Sequence, residues 1–374
     1  MINVTKTDLP DIKKYIKYLE KIWANGWVTN NGEFVQLLER KLEEYLKLKE
    51  NSLLLVTNGT LAIQLALKSL DIRGDVLTTP FTFAATTNAI VWEGLNPVFV
   101  DIDSETYNID YRNIENKITD KTVAIVAVHV FGNPCYVEKI QEIANKYNLK
   151  VIYDAAHAFG VEYGNKSILT HGDISTLSFH ATKVFNTIEG GAIIVNSNEK
   201  NKEKNNELYE KLKLLRNFGI KSEEEIVLPG INAKMNEFQA IMGLCNLENI
   251  DAKISFRKTI YDYYRKHLKY NSNIRFQKII ASKYNYSYMP ICFANKEQRD
   301  LIYSELIKNG INPRKYFYPL TANFDYFDSD KNNNKYDLKN ATAISDRILC
   351  LPIYFDLKME EVNKIIYVIN GTLL

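Results

Sequence analysis

Between residues 52 and 196, short apolar runs typical of β-strands alternate with longer runs typical of helices. The strand-like runs include "SLLLV", "DVLTT", "PVFVD", "TVAIVAVHVF" and "KVIYD", and the helical patterns between them include "TLAIQLALKSL" and "VEKIQEIANKYN". Such alternation is typical of βαβ units around a largely parallel sheet. Because the strands are almost continuously apolar, helices must cover both sheet faces. The sequence therefore predicts an α/β fold with a three-layer αβα domain.

The pattern changes after "GGAIIV", where long helical stretches are followed by a mixed segment. We expect a large domain at 1–250, which includes the N-terminal helical segment, and a smaller C-terminal α+β domain at 251–374. The boundary would fall in or just after the helical stretch "NEFQAIMGLCNLENIDAKISFRKTIYDYYRKHLKY". A chain of 374 residues can bury most of its apolar surface without disulfides or a metal.

Charge and cysteine usage exclude several classes of function. Lys and Arg number 47 against 45 for Asp and Glu, so no overall field attracts nucleic acid or anionic lipid. The four cysteines stand far apart without a Cys-x-x-Cys pair, which argues against a structural metal site. No apolar run is long enough to span a bilayer, and the start lacks a signal core. We expect a cytoplasmic protein with no nucleic-acid, membrane or metal partner.

Polar residues follow two of the predicted strands, where open α/β sheets bind their ligands. Asp154 ends the strand "KVIYD" and is followed by His157, while Ser178 and Lys183 lie on the next strand and its loop. Taken alone, Asp154 is better explained as a helix N-cap. Its functional interpretation gains weight because Lys183 and Ser178 are expected at the same sheet edge.

Two further segments supply a candidate anion site and an aromatic wall. In "TNGTLAIQLAL", Gly59 and Thr60 stand between a strand and a helix, whose bare N-terminal NH groups and dipole favour a phosphate. Thr60 is explained equally well as a helix cap. Phe83 follows the next strand, although a lone phenylalanine is usually a core residue.

Together these residues match the requirements of pyridoxal 5'-phosphate. Lys183 offers an amine for the cofactor aldehyde, and Asp154 a carboxylate that keeps the pyridine nitrogen protonated. The glycine-led helix start suits the phosphate, and Phe83 suits the flat ring.

An ordered set of motifs also resembles the DegT/DnrJ/EryC1 group of sugar aminotransferases over nearly the whole chain. The matching stretches are "WVTNNGEFVQLLER", "TNGTLAIQLAL", "PFTFAATTNAI", "PVFVDIDSETYNID", "YDAAHAFG", "SFHATKVFNTIEGGAIIV", "LRNFGI", "GINAKMNEFQAIMG" and "LPIYFD". The resemblance implies a fold type I pyridoxal 5'-phosphate enzyme. Lys183 and Asp154 resemble the catalytic lysine and the partner of the pyridine nitrogen. His157 would stand beside the ring hydroxyl, and Phe83 would stack on the ring.

The resemblance also implies a homodimer with shared active sites. Ser178, with the backbone of Gly59 and Thr60, resembles the phosphate cradle, and Asn232 resembles an asparagine that reaches the phosphate of the neighbouring subunit. Lys234 stands where an arginine is common in the family, and lysine cannot make arginine's two-pronged contact.

By resemblance, the substrate is a nucleotide-linked 4-keto-6-deoxyhexose, with dTDP-4-keto-6-deoxyglucose as the expected example. L-glutamate would be the amino donor and pyridoxamine 5'-phosphate the intermediate form of the cofactor. The "SFHATK" loop resembles those of carbon-4 enzymes, whereas carbon-3 enzymes tend to carry a "SFYPGK" style. The product would be a deoxyamino sugar for O-antigen or lipopolysaccharide biosynthesis. A carbon-3 aminotransferase and a non-catalytic cofactor-binding sensor remain alternatives.

Substrate contacts are expected from three further segments. The residues are Thr29, His180, Arg314, Tyr316 and Tyr318. His180 is explained equally well by local hydrogen bonding, and "NPRKYFYPL" by a buried aromatic turn.

Overall fold

The computed structural model describes residues 1–196, 202–268, 272–327 and 337–373. The helices are α1 Ile12–Asn25, α2 Glu33–Tyr45, α3 Gly59–Ser69, α4 Ala84–Trp92, α5 Val137–Tyr147, α6 Lys202–Arg216, α7 Glu237–Leu247, α8 Ile250–Leu268, α9 Lys296–Lys308, α10 Lys339–Arg347 and α11 Met359–Thr372. The strands are β1 Ile2–Asn3, β2 Leu53–Val56, β3 Asp75–Thr78, β4 Asn96–Phe99, β5 Thr122–Val128, β6 Lys150–Asp154, β7 Glu162–Tyr163, β8 Lys166–Ser167, β9 Ile174–Ser178, β10 Gly191–Val195, β11 Ile220–Ser222, β12 Glu225–Ile226, β13 Ile274–Phe276, β14 Met289–Phe293, β15 Ile311–Asn312 and β16 Ile348–Leu351. Within these ranges no helix combines the length and apolarity needed to cross a bilayer.

The central sheet has seven strands in the order β2-β10-β9-β6-β5-β3-β4. Pairing is parallel from β9 through β6, β5 and β3 to β4, whereas β10 runs antiparallel to both β2 and β9. The predicted α/β fold with a mostly parallel sheet is therefore confirmed. Because β2, β3, β6 and β9 point the same way, the segments that follow them meet at one edge.

Both faces of this sheet are buried, as the apolar strands predicted. Along β6, Val151 and Tyr153 join the core on one face and Ile152 joins the core on the other. The first core is completed by α2, α5 and α7, and the second by α3, α4 and α6. Each fully buried Ile or Leu contributes about 1.5–3 kcal/mol, so these two layers dominate the stability of the sheet.

The C-terminal part contains the antiparallel sheet β13-β14-β16. The long helical stretch expected before it is two helices, since α7 ends at Leu247 and α8 begins at Ile250. The expected boundary at 250 lies at this break, and the division into two domains stays a prediction. A third apolar cluster, containing Phe81, Tyr107 and Phe317, links the central sheet to the C-terminal one.

A buried carboxylate fixes the start of α2 to α7. Glu237 is fully buried, and its two oxygens accept hydrogen bonds from the backbone NH groups of Phe34 and Val35, both at 2.9 Å. Gly32 precedes the helix without a capping side chain, and a Cβ there would lie 2.6 Å from Glu237 Cδ. A carboxylate at a helix N-terminus satisfies free NH groups and complements the helix dipole.

We expect Glu237→Gln to lower the free energy of unfolding by about 1–3 kcal/mol, because an amide offers one acceptor where the carboxylate offers two. Urea unfolding would measure this change. The matched control is Glu33→Gln, which removes an exposed carboxylate from the first turn of the same helix. Equal losses from both variants would contradict the argument.

Candidate active site

A cavity of about 320 Å³ opens where the strands of the central sheet end. It brings together ten of the residues singled out from the sequence: Gly59, Thr60, Phe83, Asp154, His157, Ser178, His180, Lys183, Arg314 and Tyr316. These residues come from distant parts of the chain, and the parallel strands deliver most of them to this edge.

Asp154 is a buried carboxylate at the end of β6. Its Oδ2 accepts a hydrogen bond from the Thr86 hydroxyl at 2.7 Å, and its Oδ1 accepts one from the Ala156 backbone NH at 3.0 Å. Burial raises the pKa of Asp154, while these two hydrogen bonds and the charge of Lys183 oppose the rise. A turn follows instead of a helix, so the helix-cap interpretation is wrong. The site thus presents a negative charge that a bound cation would stabilise.

Lys183 lies on the loop between β9 and β10. The loop is closed at its base, where the Phe179 NH donates to the Gly190 carbonyl at 2.8 Å and the Thr187 NH to the Phe179 carbonyl at 2.9 Å. Lys183 Nζ lies 3.4 Å from the Tyr288 hydroxyl. Burial lowers the pKa of Lys183 to about 8; Asp154 opposes this shift and Arg314 adds to it. Near neutral pH the neutral, nucleophilic share of this amine is therefore much larger than for an ordinary lysine.

His157 is held as a neutral donor. Its Nδ1 accepts a hydrogen bond from the Phe131 backbone NH at 3.2 Å, which leaves the proton of the neutral ring on Nε2. Burial and the charge of Lys183 hold the pKa of His157 well below its usual range. Its carbonyl accepts hydrogen bonds from Asn285 and Ser287, both at 2.8 Å, which fixes the backbone here.

The start of α3 forms a cradle for an anion. Asn58 caps this helix with its side-chain oxygen, so the interpretation of Thr60 as the cap is wrong. A Cβ at Gly59 would lie 2.7 Å from Ser178 Cβ, and a Cβ at Gly191 would lie 2.7 Å from the Asn58 carbonyl carbon. The two glycines therefore let the helix start approach β9 and β10 closely. Bare NH groups and the Ser178 hydroxyl at such a start suit a phosphate.

Phe83 supplies an aromatic wall to the cavity. It precedes α4 and is 52% exposed, so it is not the core residue that a lone phenylalanine usually is. An exposed ring beside Asp154 and Lys183 can stack on a flat ligand.

Three of the expected substrate residues line the same cavity. The Arg314 guanidinium lies over the Tyr316 ring, 4.5 Å from its centroid. His180 Nδ1 lies 2.9 Å from the Thr182 hydroxyl, and its Nε2 lies 3.7 Å from a Glu189 carboxylate oxygen. Arg314 and His180 are exposed, so both can meet a ligand without burying an unpaired charge.

The other expected residues lie elsewhere. Tyr318 does not line the cavity; its ring packs under Lys296 and Arg299 of α9, at 5.6 and 5.1 Å. Thr29 precedes α2, and Asn232 is exposed and bridges to Asn217. The substrate role of Tyr318 and the cofactor role of Asn232 stay predictions.

Sequence reasoning did not single out several residues of this site, among them Asn58, Thr86, Glu189 and Tyr288. Asn58 carried a signal, because an asparagine immediately before a helical pattern is a cap candidate. Thr86 and Tyr288 carried none, since they meet Asp154 and Lys183 from segments far away in the chain. Glu189 lies on the same β9–β10 loop as His180, and its contact depends on how that loop folds.

Comparison with known proteins agrees with this geometry. The model of the DegT/DnrJ/EryC1/StrS aminotransferase family matches residues 10–370. The chain belongs to this family. It is thus an enzyme of the sugar aminotransferase class, as the motifs predicted.

Relatives match the chain over nearly its full length. The dTDP-4-amino-4,6-dideoxy-D-glucose transaminase of Escherichia coli is 46% identical over 99% of this chain and 98% of its own length, and that of Shigella dysenteriae is 44% identical over the same shares. Among solved structures, Helicobacter pylori PseC, an aminotransferase of pseudaminic acid biosynthesis, superposes with a TM-score of 0.89 at 28% identity. That match covers 100% of this chain and 99% of PseC, so the fold type I architecture is confirmed.

Members of this family and its structural neighbours depend on pyridoxal 5'-phosphate. The cavity fits this cofactor, because it joins a buried carboxylate, a reactive amine, a neutral histidine and a glycine-lined helix start. Among the described residues, no group of three acidic, histidine or cysteine side chains could hold a metal ion instead.

The depressed pKa of Lys183 predicts how the cofactor-free protein captures pyridoxal 5'-phosphate. The protonated amine is not nucleophilic, so the capture rate should rise with pH and level off above about 8 instead of near the ordinary lysine value of 10.5. Stopped-flow absorbance would follow the capture.

Two variants test the cause of this shift. Arg314→Gln should move the midpoint to higher pH, because it removes a charge that lowers the pKa of Lys183. Asp154→Asn should move the midpoint to lower pH, because it removes a charge that raises the pKa of Lys183. The control Arg73→Gln removes an exposed arginine outside the cavity and should leave the midpoint in place. A midpoint near 10.5 in the unmodified protein would sink the prediction.

Proposed function

We propose that this enzyme transfers the amino group of L-glutamate to carbon 4 of a dTDP-linked 4-keto-6-deoxyhexose, with dTDP-4-keto-6-deoxyglucose as the substrate. The observation that carries the proposal is that Lys183 and Asp154 line one cavity. The chain is also 46% identical to a dTDP-4-amino-4,6-dideoxy-D-glucose transaminase. The amino donor is inferred from the family.

When bound, pyridoxal 5'-phosphate supplies an electron sink that stabilises negative charge at the α-carbon of an amino acid. The chain contributes the proton transfers and the orientation. Lys183 Nζ, with its pKa lowered to about 8, takes and returns a proton at the α-carbon as general base and acid. Asp154 holds a proton on the pyridine nitrogen, because a buried carboxylate favours a neighbouring cation.

The remaining residues position these groups. Thr86 orients Asp154 through the 2.7 Å hydrogen bond to Oδ2. His157 would offer its Nε2–H to the oxygen on the cofactor ring, while Ser178 and the start of α3 would hold the phosphate. The Tyr288 hydroxyl lies 3.4 Å from Lys183 Nζ and can accept a hydrogen bond that orients the amine. Arg314, His180 and Tyr316 would contact the nucleotide sugar.

The choice of carbon 4 has two supports. The "SFHATK" loop has the style of carbon-4 enzymes, and the relatives at 44–46% identity are named for a 4-amino product. By contrast, a dTDP-3-amino-3,6-dideoxy-alpha-D-galactopyranose transaminase of Aneurinibacillus thermoaerophilus is 31% identical over 96% of this chain.

We further propose that two copies of the chain share their active sites. Thr29 and Asn232 lie outside the cavity of their own chain, so their proposed ligand contacts require a neighbouring subunit. Exposed apolar side chains accompany them: Trp27 and Val28 beside Thr29, and Ile231 beside Asn232. The segment of Thr29 is also held to the start of α7, five residues after Asn232, since the Glu237 NH donates to the Val28 carbonyl at 3.0 Å. Such an apolar surface suits a subunit interface.

Incubation with L-glutamate and dTDP-4-keto-6-deoxyglucose should yield an amine at carbon 4, assigned by NMR, together with 2-oxoglutarate. Lys183→Ala should abolish turnover because it removes the amine that moves the proton at the α-carbon, yet it should still bind pyridoxamine 5'-phosphate. Lys183→Arg keeps the charge without the nucleophile and should be equally inactive.

A fully active Lys183→Ala variant would overturn the mechanism. An amine at carbon 3 from the 3-keto isomer would overturn the regiochemistry alone. Binding of the cofactor without any 2-oxoglutarate would favour the sensor.

A subunit-mixing experiment tests the shared site. Lys183→Ala and Asn232→Asp should each be inactive, the second because it sets a negative charge against the cofactor phosphate. Refolding the two together should restore activity, since a mixed dimer holds one site with an intact Lys183 and an intact Asn232. No activity in the mixture, when each variant forms dimers by itself, would argue for separate sites.

A further inference from the structure

A second cavity, of about 670 Å³, lies between the segment after β4 and the sheet β13-β14-β16. We call it the β13 cavity. Its walls include Ser104 and Glu105 from the first segment, Arg275 and Lys278 on and after β13, and Arg347 at the end of α10. The volume falls within the range of small-molecule sites, which is about 300–1,000 Å³.

The charges of the β13 cavity do not balance. Lys278 pairs with Glu105 at 2.7 Å. For the guanidinium groups of Arg275 and Arg347, the described residues supply no carboxylate within ion-pair distance. The cavity therefore keeps two positive charges.

Both arginines line the cavity beside Cys292 of β14. Arg275 is directly opposite Cys292 in the β13–β14 ladder, so the two side chains share a face of the sheet. Cys292 is in turn paired with Ile348, the residue after Arg347. Both guanidinium groups oppose the burial that raises the pKa of the Cys292 thiol to about 11, as expected if both lie near its sulfur.

We propose that the β13 cavity binds a small phosphorylated ligand. Guanidinium groups make two-pronged hydrogen bonds to phosphate oxygens, and a pair of them matches a dianion. The Ser104 and Ser272 hydroxyls can add neutral hydrogen bonds, and Phe276 provides an apolar wall for the rest of the molecule. A ligand here would bridge the central sheet and the C-terminal sheet.

The β13 cavity is separate from the active site. The two share no lining residue, and the packed layer containing Phe81, Tyr107 and Phe317 stands between them. Tyr107 faces the β13 cavity, Phe317 faces the active site, and Phe81 contacts both rings at centroid distances of 6.3 and 5.4 Å.

Isothermal titration of the protein loaded with pyridoxal 5'-phosphate, in low-salt buffer, tests the proposal with sodium pyrophosphate as the probe. We expect binding that Arg275→Gln and Arg347→Gln each weaken about tenfold or more, the effect of losing one charge-assisted hydrogen-bonding group. Arg73→Gln, the exposed control with the same charge change, should bind like the unmodified protein. The affinity of Arg347→Lys for pyrophosphate should fall between those of the unmodified protein and Arg347→Gln, because lysine keeps the charge but lacks the planar guanidinium group.

Two results would overturn the proposal. One is no binding by the unmodified protein, or binding that neither Arg275→Gln nor Arg347→Gln changes. The other is binding lost in Arg314→Gln but kept in both β13-cavity variants, which would assign the pyrophosphate to the active site. The cofactor absorbance of each variant would verify that it is folded and loaded.

Discussion

The buried negative charge of Asp154 is the constraint on which the rest of the site depends. An isolated buried carboxylate costs several kcal/mol, and the hydrogen bonds from Thr86 and Ala156 offset only part of that cost. The protein therefore keeps a carboxylate that remains poorly compensated until a cation lies beside it. Lys183 provides some compensation, and the charge of Asp154 in turn opposes the lowering of the Lys183 pKa by burial. Asp154 and Lys183 thus each lower the free-energy cost of the other's charge, but neither charge is fully compensated within the protein.

The sequence predicted the parts of the site that strand topology determines. Asp154, Ser178 and the Gly59 turn each follow a recognisable apolar strand, and parallel strands carry such positions to a common edge. The same reasoning gave the α/β layers, because continuous apolar strands need cover on both faces.

Other features escaped prediction because they depend on contacts between distant segments. Tyr288 reaches Lys183 from the C-terminal sheet, across 105 positions of chain. Its surroundings in sequence, "YNYSYMP", do not distinguish it from the neighbouring tyrosines. Tyr318 shows the converse, since an aromatic in the expected segment turned outward to pack on α9. The break between α7 and α8 was also missed, because the helical pattern continues through residues 248–249 without proline or glycine.

The antiparallel strand β10 gives the loop of Lys183 an architecture unlike that of the other site segments. Ser178 and Gly191 are paired across the β9–β10 ladder, so the chain leaves the sheet and returns to it at adjacent points. This one loop thereby carries the Ser178 hydroxyl at its base, the Lys183 amine, and the side chains of His180 and Glu189, all of which line the cavity. The two ends of this loop are joined to each other, and they are also anchored in the central sheet, since β10 pairs with β2 and β9 pairs with β6. Because this base is fixed on both sides, side chains such as His180 and Glu189 can change while the backbone that carries Lys183 stays in place.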